Sequence, residues 1–242
     1  MTEIFIDTAN IEDIKEFLGW GIVEGVTTNQ KIFLKEKGCN FKERAIDILE
    51  IAYPYPVSLE GPNDYDGIIK AAKEYHEWED KNDNKYSNIV IKVPMMGNGD
   101  GVRAVKTLKE MNIRTNVTAC MNLNQAFLAA NAGATYVSLF YNRMIDWHKE
   151  VHGNKNTNMG KQYALSTIAQ TMQMLTVNDF ETELIIGSIR SPDDVQDIVS
   201  VNPDIITIPP KILRQVPFNS KTEETLKEFE EAWKEFKKHE SK

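Results

Sequence analysis

Ile89-Val90-Ile91-Lys92-Val93-Pro94 is a short run of β-branched residues interrupted near its end by a lysine. Strands of a parallel sheet that is covered on both faces have this continuous apolar pattern, so the run predicts a buried strand. Lysine is rarely fully buried, and an isolated lysine at this place would most simply turn into water. Several other predicted strands of this chain also end on polar residues, which favours a shared polar site instead.

Strand-like and helix-like segments alternate along the whole chain. Apolar and β-branched runs predict strands at residues 3–7, 25–28, 57–60, 88–93, 113–118, 134–140, 183–188 and 204–208. Helical periodicity predicts helices at residues 11–18, 41–51, 65–79, 101–111, 123–132, 162–176 and 192–199. Residues 80–87 and a long segment after residue 140 are interpreted as polar connections, with residues 152–160 expected to form a mobile loop.

Eight such units favour a (β/α)8 TIM barrel in a single domain formed by residues 1–220. Short right-handed crossovers between parallel strands produce this arrangement, and 242 residues is a typical length for it. The alternative is an open doubly wound sheet. That fold would carry a glycine-rich phosphate turn after its first strand, and Asp7-Thr8-Ala9-Asn10 is not such a turn.

Composition narrows the class of protein. The chain is 41% hydrophobic and 26% charged, as is usual for a soluble globular protein. A net charge of −8 argues against a general nucleic-acid binder. Cys39 and Cys120 lack CxxC spacing, so neither a disulfide framework nor a zinc site is expected. No membrane span or signal peptide is predicted, and a cytoplasmic enzyme is the expectation.

Polar residues gather at the predicted carboxyl ends of the strands, where a barrel carries its active site. Side chains alternate along a strand, so Lys92 shares a face with Val90, Glu60 with Ser58, and Asp7 with Phe5. All of these polar side chains are therefore expected in one barrel mouth. A buried lysine amine becomes a nucleophile that can form a Schiff base with a carbonyl substrate. The residues at these ends are Asp7, Thr27, Asn29, Glu60, Lys92, Asn116, Thr118, Ser138, Ser188 and Arg190.

Six motifs, in order along the chain, resemble the transaldolase family. They are Phe5-Ile6-Asp7-Thr8-Ala9, Gly25-Val26-Thr27-Thr28-Asn29, Val90-Ile91-Lys92-Val93-Pro94-Met95, Thr115-Asn116-Val117-Thr118, Gly133-Ala134-Thr135-Tyr136-Val137-Ser138 and Gly187-Ser188-Ile189-Arg190. The resemblance is greatest to the small single-barrel branch, which also contains fructose-6-phosphate aldolases. It implies a dihydroxyacetone transfer between sugar phosphates in the pentose phosphate pathway, with no metal or other cofactor.

The resemblance also implies a role for each matching residue. Lys92 corresponds to the Schiff-base lysine of the fourth strand and Asp7 to the acid/base aspartate of the first. Glu60 and Thr118 would order a water for proton transfer. The remaining matches would bind the dihydroxyacetone unit or the phosphate: Thr27, Asn29, Asn116, Ser138 and Phe140 for the former, Arg143, Ser188 and Arg190 for the latter.

A phosphate site after the seventh strand agrees with barrel geometry, because loops after strands 7 and 8 often bind phosphate. The planar guanidinium of arginine matches phosphate oxygens, although a surface ion pair is the ordinary alternative for each arginine. Some residues depart from the family pattern: Gln30 replaces a usual proline, and Asn142 a frequent glycine. The segment 119–121 also differs from the family pattern. None of these differences removes a catalytic group, so they bear on substrate preference more than on the class of reaction.

Two other functions remain open. A simple aldolase would release dihydroxyacetone; by resemblance such enzymes have Gln and Tyr where this chain has Glu60 and Phe140, which favours the transaldolase. A catalytically idle barrel that binds sugar phosphates is the third hypothesis. His148 and His152, four residues apart, lack an evident third metal ligand, and residues 97–101 are interpreted as a turn that leads into a helix.

Residues 221–242 are predicted to form a C-terminal amphipathic helix. Leu226, Phe229, Trp233 and Phe236 are spaced three, four and three residues apart and therefore share one face. Such an aromatic face must be covered, either by the bottom of its own barrel or by a neighbouring barrel. By resemblance to small members of the family, a ring-like homo-oligomer is expected, with the helix on a neighbouring subunit.

Overall fold

The computed structural model describes residues 1–36, 38, 40–78, 84–153 and 157–240. In these residues eight parallel strands pair in sequence order, and the first strand pairs with the last to close the barrel. The predicted (β/α)8 barrel is thereby confirmed, and the open sheet is wrong. Closure brings the carboxyl ends of all the strands to one mouth.

The elements follow one another as strand and helix, with extra helices after β2, β6 and β8. In chain order they are β1 (Glu3–Asp7), α1 (Ile11–Gly19), β2 (Val23–Thr27), α2 (Gln30–Phe33), α3 (Phe41–Ala52), β3 (Val57–Glu60), α4 (Tyr65–His76), β4 (Ile89–Pro94), α5 (Asp100–Glu110), β5 (Thr115–Cys120), α6 (Leu123–Ala132), β6 (Tyr136–Phe140), α7 (Tyr141–His152), α8 (Thr157–Val177), β7 (Glu183–Gly187), α9 (Pro192–Val199), β8 (Ile205–Ile208), α10 (Pro210–Leu213) and α11 (Ser220–Glu240).

The segment after β6 was predicted incorrectly. It is not a polar connection, because α7 begins at Tyr141 directly after the strand and α8 begins at Thr157. Tyr141, Met144 and Ile145 are buried on one face of α7, which is why this polar segment is helical. Residues 157–160 of the expected mobile loop are helical, and residues 154–156 lie outside the described residues, as do residues 79–83 of the segment after α4.

Large side chains fill the barrel interior beneath the mouth. Phe5, Val90, Tyr136, Ile185 and Ile205 form a separate buried cluster, one residue from each of five strands. Phe5 is 1% exposed, and its ring meets Tyr136 edge to face at 6.2 Å. Gly25 of β2 pairs with Phe5 and leaves room for its ring. The residues two positions further along β1 and β4, Asp7 and Lys92, then reach the mouth.

The C-terminal helix α11 is separate from this core. None of its residues is buried, and the predicted apolar face remains open, with Phe229 65% and Trp233 58% exposed. Within the described residues, the barrel of the same chain does not cover this face.

Among the described residues, no helix combines the length and apolar composition that a membrane crossing requires.

Candidate active site

A cavity of about 390 Å³ opens at the carboxyl ends of the strands. The predicted site residues converge on it from strands β1 to β6, from the turns after β2 and β7 and from the first turn of α7, and eleven of the twelve line its wall. The exception is Arg190. The lining consists of Asp7, Thr27, Asn29, Gln30, Lys31, Glu60, Asn63, Lys92, Pro94, Asn116, Thr118, Ala119, Ser138, Phe140, Arg143, Gly187, Ser188 and Thr207.

Lys92 is buried in the wall of this cavity, with only 6% of its surface exposed. Its Nζ donates a hydrogen bond to the main-chain carbonyl of Thr28 at 2.7 Å and lies 3.0 Å from Glu60 Oε1. Adjacent strands produce the second contact, because Lys92 and Glu60 are register partners on β4 and β3. The amine is thus held in the cavity wall by one carbonyl and one carboxylate, as the sequence predicts for a lysine that is kept from water.

Asp7 faces the same cavity from the end of β1. Its Oδ1 accepts a hydrogen bond from Thr27 Oγ1 at 2.8 Å, and Thr27 in turn lies 2.6 Å from Thr207 Oγ1. Burial raises the pKa of Asp7 above its ordinary value, although the Lys92 cation and the Thr27 hydroxyl act in the opposite direction. A carboxyl group with a raised pKa is suited to take up and return protons during a reaction.

Asn116 is fixed in the cavity wall by hydroxyl groups on both sides. Its Nδ2 donates to Ser58 Oγ at 3.1 Å, and its Oδ1 accepts from Ser138 Oγ at 2.7 Å. Asn116 and Ser138 are buried, as is Ser58. Because Asn116 belongs to β5 and its partners to β3 and β6, this chain of hydrogen bonds crosses the barrel interior. It presents amide and hydroxyl groups to hydroxyl groups of a ligand.

Thr118 and Ala119 mark an irregularity in β5. The pairing of β5 with β6 shifts between Val117 and Cys120, and Ala119 has a φ of +60°. Thr118 is buried, and its Oγ1 has no hydrogen-bond partner among the described residues. A buried hydroxyl group without a protein partner is an available donor and acceptor for a water or a substrate. Strained backbone of this kind is common at functional sites.

The expected phosphate end of the cavity is formed by Arg143 and Ser188. Arg143 extends from the first turn of α7, and Ser188 follows β7 with a φ of +64°, which is unusual for a residue other than glycine. Arg190 does not join them. Its guanidinium donates two hydrogen bonds to Asp146, at 3.1 and 2.5 Å, and these hold the pKa of Asp146 below its usual value.

The rim after β2 shows what Gln30 does in place of a proline. Asn29 caps α2 by accepting a hydrogen bond from the Ile32 N–H at 3.0 Å. Gln30 Nε2 donates to the Gly61 carbonyl at 3.2 Å, and its main-chain N–H lies 3.4 Å from Glu60 Oε2. Gln30 therefore ties this rim to the end of β3, next to Glu60.

Some lining residues were not among the sequence-predicted ones. Thr207 interrupts the apolar run Ile205-Ile206-Thr207-Ile208, so the rule that singled out Lys92 would have found it too. Lys31 lies in the short helix α2 and Asn63 in the connection between β3 and α4, and local sequence carries no signal for their place at the mouth. His148 and His152 have their rings 4.6 Å apart, but within the described ranges no group of three potential metal ligands is present.

Comparison with known proteins gives consistent matches along the chain. A family model described as transaldolase/fructose-6-phosphate aldolase matches residues 4–242. The chain is 38% identical over 237 residues to a probable transaldolase from Carboxydothermus hydrogenoformans, which covers 98% of this chain and 100% of that protein. It is 37% identical over 236 residues to a probable transaldolase from Petrotoga mobilis, covering 97% of this chain and 96% of that protein.

Solved structures are similar in fold. Thiamine phosphate pyrophosphorylase from Pyrococcus furiosus superposes with a TM-score of 0.51, covering 86% of this chain and 85% of its own. The two sequences are 11% identical, so this similarity concerns the barrel alone. Barrels of one architecture catalyse many reactions, and function has to be argued from the residues of the mouth.

Proposed function

The chain belongs to the transaldolase/fructose-6-phosphate aldolase family, and we propose that it acts as a transaldolase. It would transfer a dihydroxyacetone unit from fructose 6-phosphate or sedoheptulose 7-phosphate to an aldose phosphate, through a Schiff base on Lys92. The observation that carries this proposal is the buried Lys92 amine in a polar cavity, 3.0 Å from Glu60. A buried lysine amine in a polar cavity can act as a nucleophile toward a bound carbonyl group, whereas a surface lysine is held in its charged form by water.

The reaction begins when neutral Lys92 attacks the C2 carbonyl of the ketose phosphate. Loss of water from this adduct gives an iminium ion. A base then removes the proton of the C4 hydroxyl group, the C3–C4 bond breaks, and an aldose phosphate leaves. The bonding electrons pass to the iminium, which becomes an enamine on Lys92. Addition of C3 to the aldehyde of the acceptor and hydrolysis of the new iminium complete the transfer.

Asp7 and Glu60 are the proposed proton carriers. Burial raises the pKa of Asp7, so this group can take the proton of the C4 hydroxyl and return it to the acceptor aldehyde oxygen. Glu60 lies beside the Lys92 amine, and Thr118 has an unused buried hydroxyl at the same mouth. We propose that Glu60 and Thr118 hold a water molecule. This water would transfer protons to and from the nitrogen and the hydroxyl group of the Lys92 adduct as the iminium forms and is hydrolysed.

The substrate is proposed to extend from this centre toward the end of β7. Asn29, Asn116 and Ser138 would bind hydroxyl groups of the dihydroxyacetone unit, and Arg143 and Ser188 the phosphate. Arg190 does not line the cavity, and it donates two of its five N–H groups to Asp146. To bind the phosphate, its side chain would have to turn toward Arg143 and Ser188.

Borohydride reduction tests the mechanism. With fructose 6-phosphate, it should trap a covalent adduct on Lys92, located by peptide mass spectrometry. Lys92→Met should form no adduct and, with erythrose 4-phosphate added as the acceptor, no sedoheptulose 7-phosphate, whereas the exposed Lys106→Met control should behave as the wild type. Full turnover of Lys92→Met would refute the Schiff base. Binding of fructose 6-phosphate by the wild type without adduct or product would favour an idle sugar-phosphate-binding barrel.

The second candidate is an aldolase that releases dihydroxyacetone. Release requires protonation of the enamine, and Phe140 in the cavity wall has no proton to donate. The neighbouring Tyr141 cannot supply one, because it is buried and donates its hydroxyl to Asp197 at 3.1 Å. The transaldolase is favoured for this reason. Dihydroxyacetone that forms equally fast with and without erythrose 4-phosphate would favour the aldolase.

We also propose that the protein forms a ring-like homo-oligomer through α11. The open apolar face of this helix, with Phe229 and Trp233 more than half exposed, is costly in water, and a neighbouring barrel would cover it in every subunit of a closed ring. Deletion of residues 222–242 should lower the oligomer size, that is, the number of subunits in each particle, in light scattering and leave adduct formation on Lys92 intact. A full-length chain that is monomeric at micromolar concentration would refute the proposal.

A further inference from the structure

Ser188 is held in an unfavourable backbone conformation at the edge of the cavity. Its φ of +64° lies in the left-handed region, which is unfavourable for a residue with a side chain. Other residues with a positive φ that are not glycine include Asn112, Asp179 and Asn202. These three lie in turns shortly after helices, where this conformation is common. Ser188 instead follows a strand, so neighbouring groups must stabilise its conformation.

Asn142 supplies one of these contacts. Its Nδ2 donates one hydrogen bond to the main-chain carbonyl of Ser188 at 2.8 Å and another to Asp194 Oδ2 at 2.6 Å. An amide nitrogen carries two hydrogens, and both are used here. Because a trans peptide holds its C=O and N–H antiparallel, fixing this carbonyl also fixes the direction of the next N–H, that of Ile189.

Asp194 accepts hydrogen bonds from the backbone in the rest of the turn. Its Oδ2 accepts hydrogen bonds from the main-chain N–H of Arg190 at 2.8 Å and of Ser191 at 3.1 Å. Asp194 is itself buried and sits in the first turn of α9, where it forms a capping box with Ser191. One carboxylate oxygen therefore joins Asn142 of α7 to the backbone that follows Ser188.

We propose that Asn142 and Asp194 are positioning residues that set the Ser188 turn for binding the substrate phosphate. This inference rests on the proposed phosphate site. Asn142 also precedes Arg143, so the same side chain links the two elements that present Arg143 and Ser188 to the cavity. Neither positioning residue lines the cavity, and both act only through the groups that do.

The test compares a phosphorylated ligand with an unphosphorylated one. Asn142→Ala should raise the dissociation constant of inorganic phosphate, measured by calorimetry, by about fivefold, the effect of losing one or two hydrogen bonds. The fructose 6-phosphate concentration that gives half-maximal borohydride adduct should rise equally, and that of dihydroxyacetone should stay the same. Asn131→Ala is the matched control, since exposed Asn131 donates to the Phe127 carbonyl within α6 and lies outside this network.

Asp194 provides the conservative comparison. Asp194→Asn keeps an acceptor oxygen for the same donors, so its effect on phosphate should be smaller than that of Asp194→Ala. An equal change for phosphate and dihydroxyacetone, or no change for either, would overturn the positioning role. If the wild type forms no adduct but phosphate binding still depends on Asn142, the proposed transaldolase fails and the positioning role stands. If the wild type forms the adduct but its phosphate binding does not change in Asn142→Ala, the proposed Schiff base stands and the positioning role fails.

Discussion

Gly25→Ala should destabilise the barrel because it fills the space that the Phe5 ring occupies. A Cβ at Gly25 would lie 2.6 Å from three carbons of this ring, far inside the ordinary contact distance of about 3.5–4.0 Å. The ring is 1% exposed and packs against Tyr136, so it has little room to move. Overpacking of a core costs about 1–3 kcal/mol, and we expect a loss of about 2 kcal/mol in the free energy of unfolding.

Urea unfolding at one fixed protein concentration measures this loss. Gly19→Ala is the matched control, because a Cβ at the end of α1 meets no atom within 4 Å and should stabilise the helix by up to about 1 kcal/mol. Phe5→Leu alone should cost about 1 kcal/mol through the cavity it leaves. In the double variant the two changes should compensate by about 1–2 kcal/mol. A Gly25→Ala protein as stable as the wild type, or strictly additive losses, would refute the packing argument.

Three further predictions concern charge and specificity. Glu183→Gln should stabilise the protein more at about pH 7 than at about pH 4. Burial, with Glu3 and Asp204 nearby, raises the pKa of Glu183. The contribution of Glu183 to stability is therefore present at low pH and is lost as the pH rises through its folded-state pKa. Equal gains in thermal stability at both pH values would contradict this. Arg143→Ala should raise the half-saturating concentration of fructose 6-phosphate in the trapping assay by about tenfold, because it removes a charged phosphate ligand, and should leave that of dihydroxyacetone unchanged; parallel changes would argue against a phosphate contact. Phe140→Tyr should increase the dihydroxyacetone released without acceptor, because it adds a proton donor to the cavity, and an unaltered ratio of release to transfer would count against that role.

Much of the fold could be predicted because its signals are local. The strand around Lys92 was expected at residues 88–93 and is found at Ile89–Pro94, and the expected alternation is confirmed by Val90 in the interior cluster and Lys92 in the cavity. The same reasoning placed Asp7 and Glu60 at the mouth. Period-two alternation within a strand needs no knowledge of the rest of the chain.

The errors have physical reasons. The polar residues of α7 concealed a helical spacing of Tyr141, Met144 and Ile145, which share its buried face. β5 was expected to end at Thr118 and continues to Cys120, because the strand accommodates an irregularity at Ala119. Such an irregularity depends on the pairing with β6, and single-strand patterns do not contain it.

The sequence by itself determined the alternation of strands and helices, and the chemical types that meet at one mouth. Only the tertiary structure decided which partner each polar group has. Arg190 bonds to Asp146, 44 residues away, and Asp194 receives Asn142 from 52 residues away. These partners meet because β6 pairs in parallel with β7, which brings the elements that follow the two strands side by side. The pairing of strands joins residues that are far apart in the sequence, so no local pattern could reveal the hydrogen bonds that depend on it.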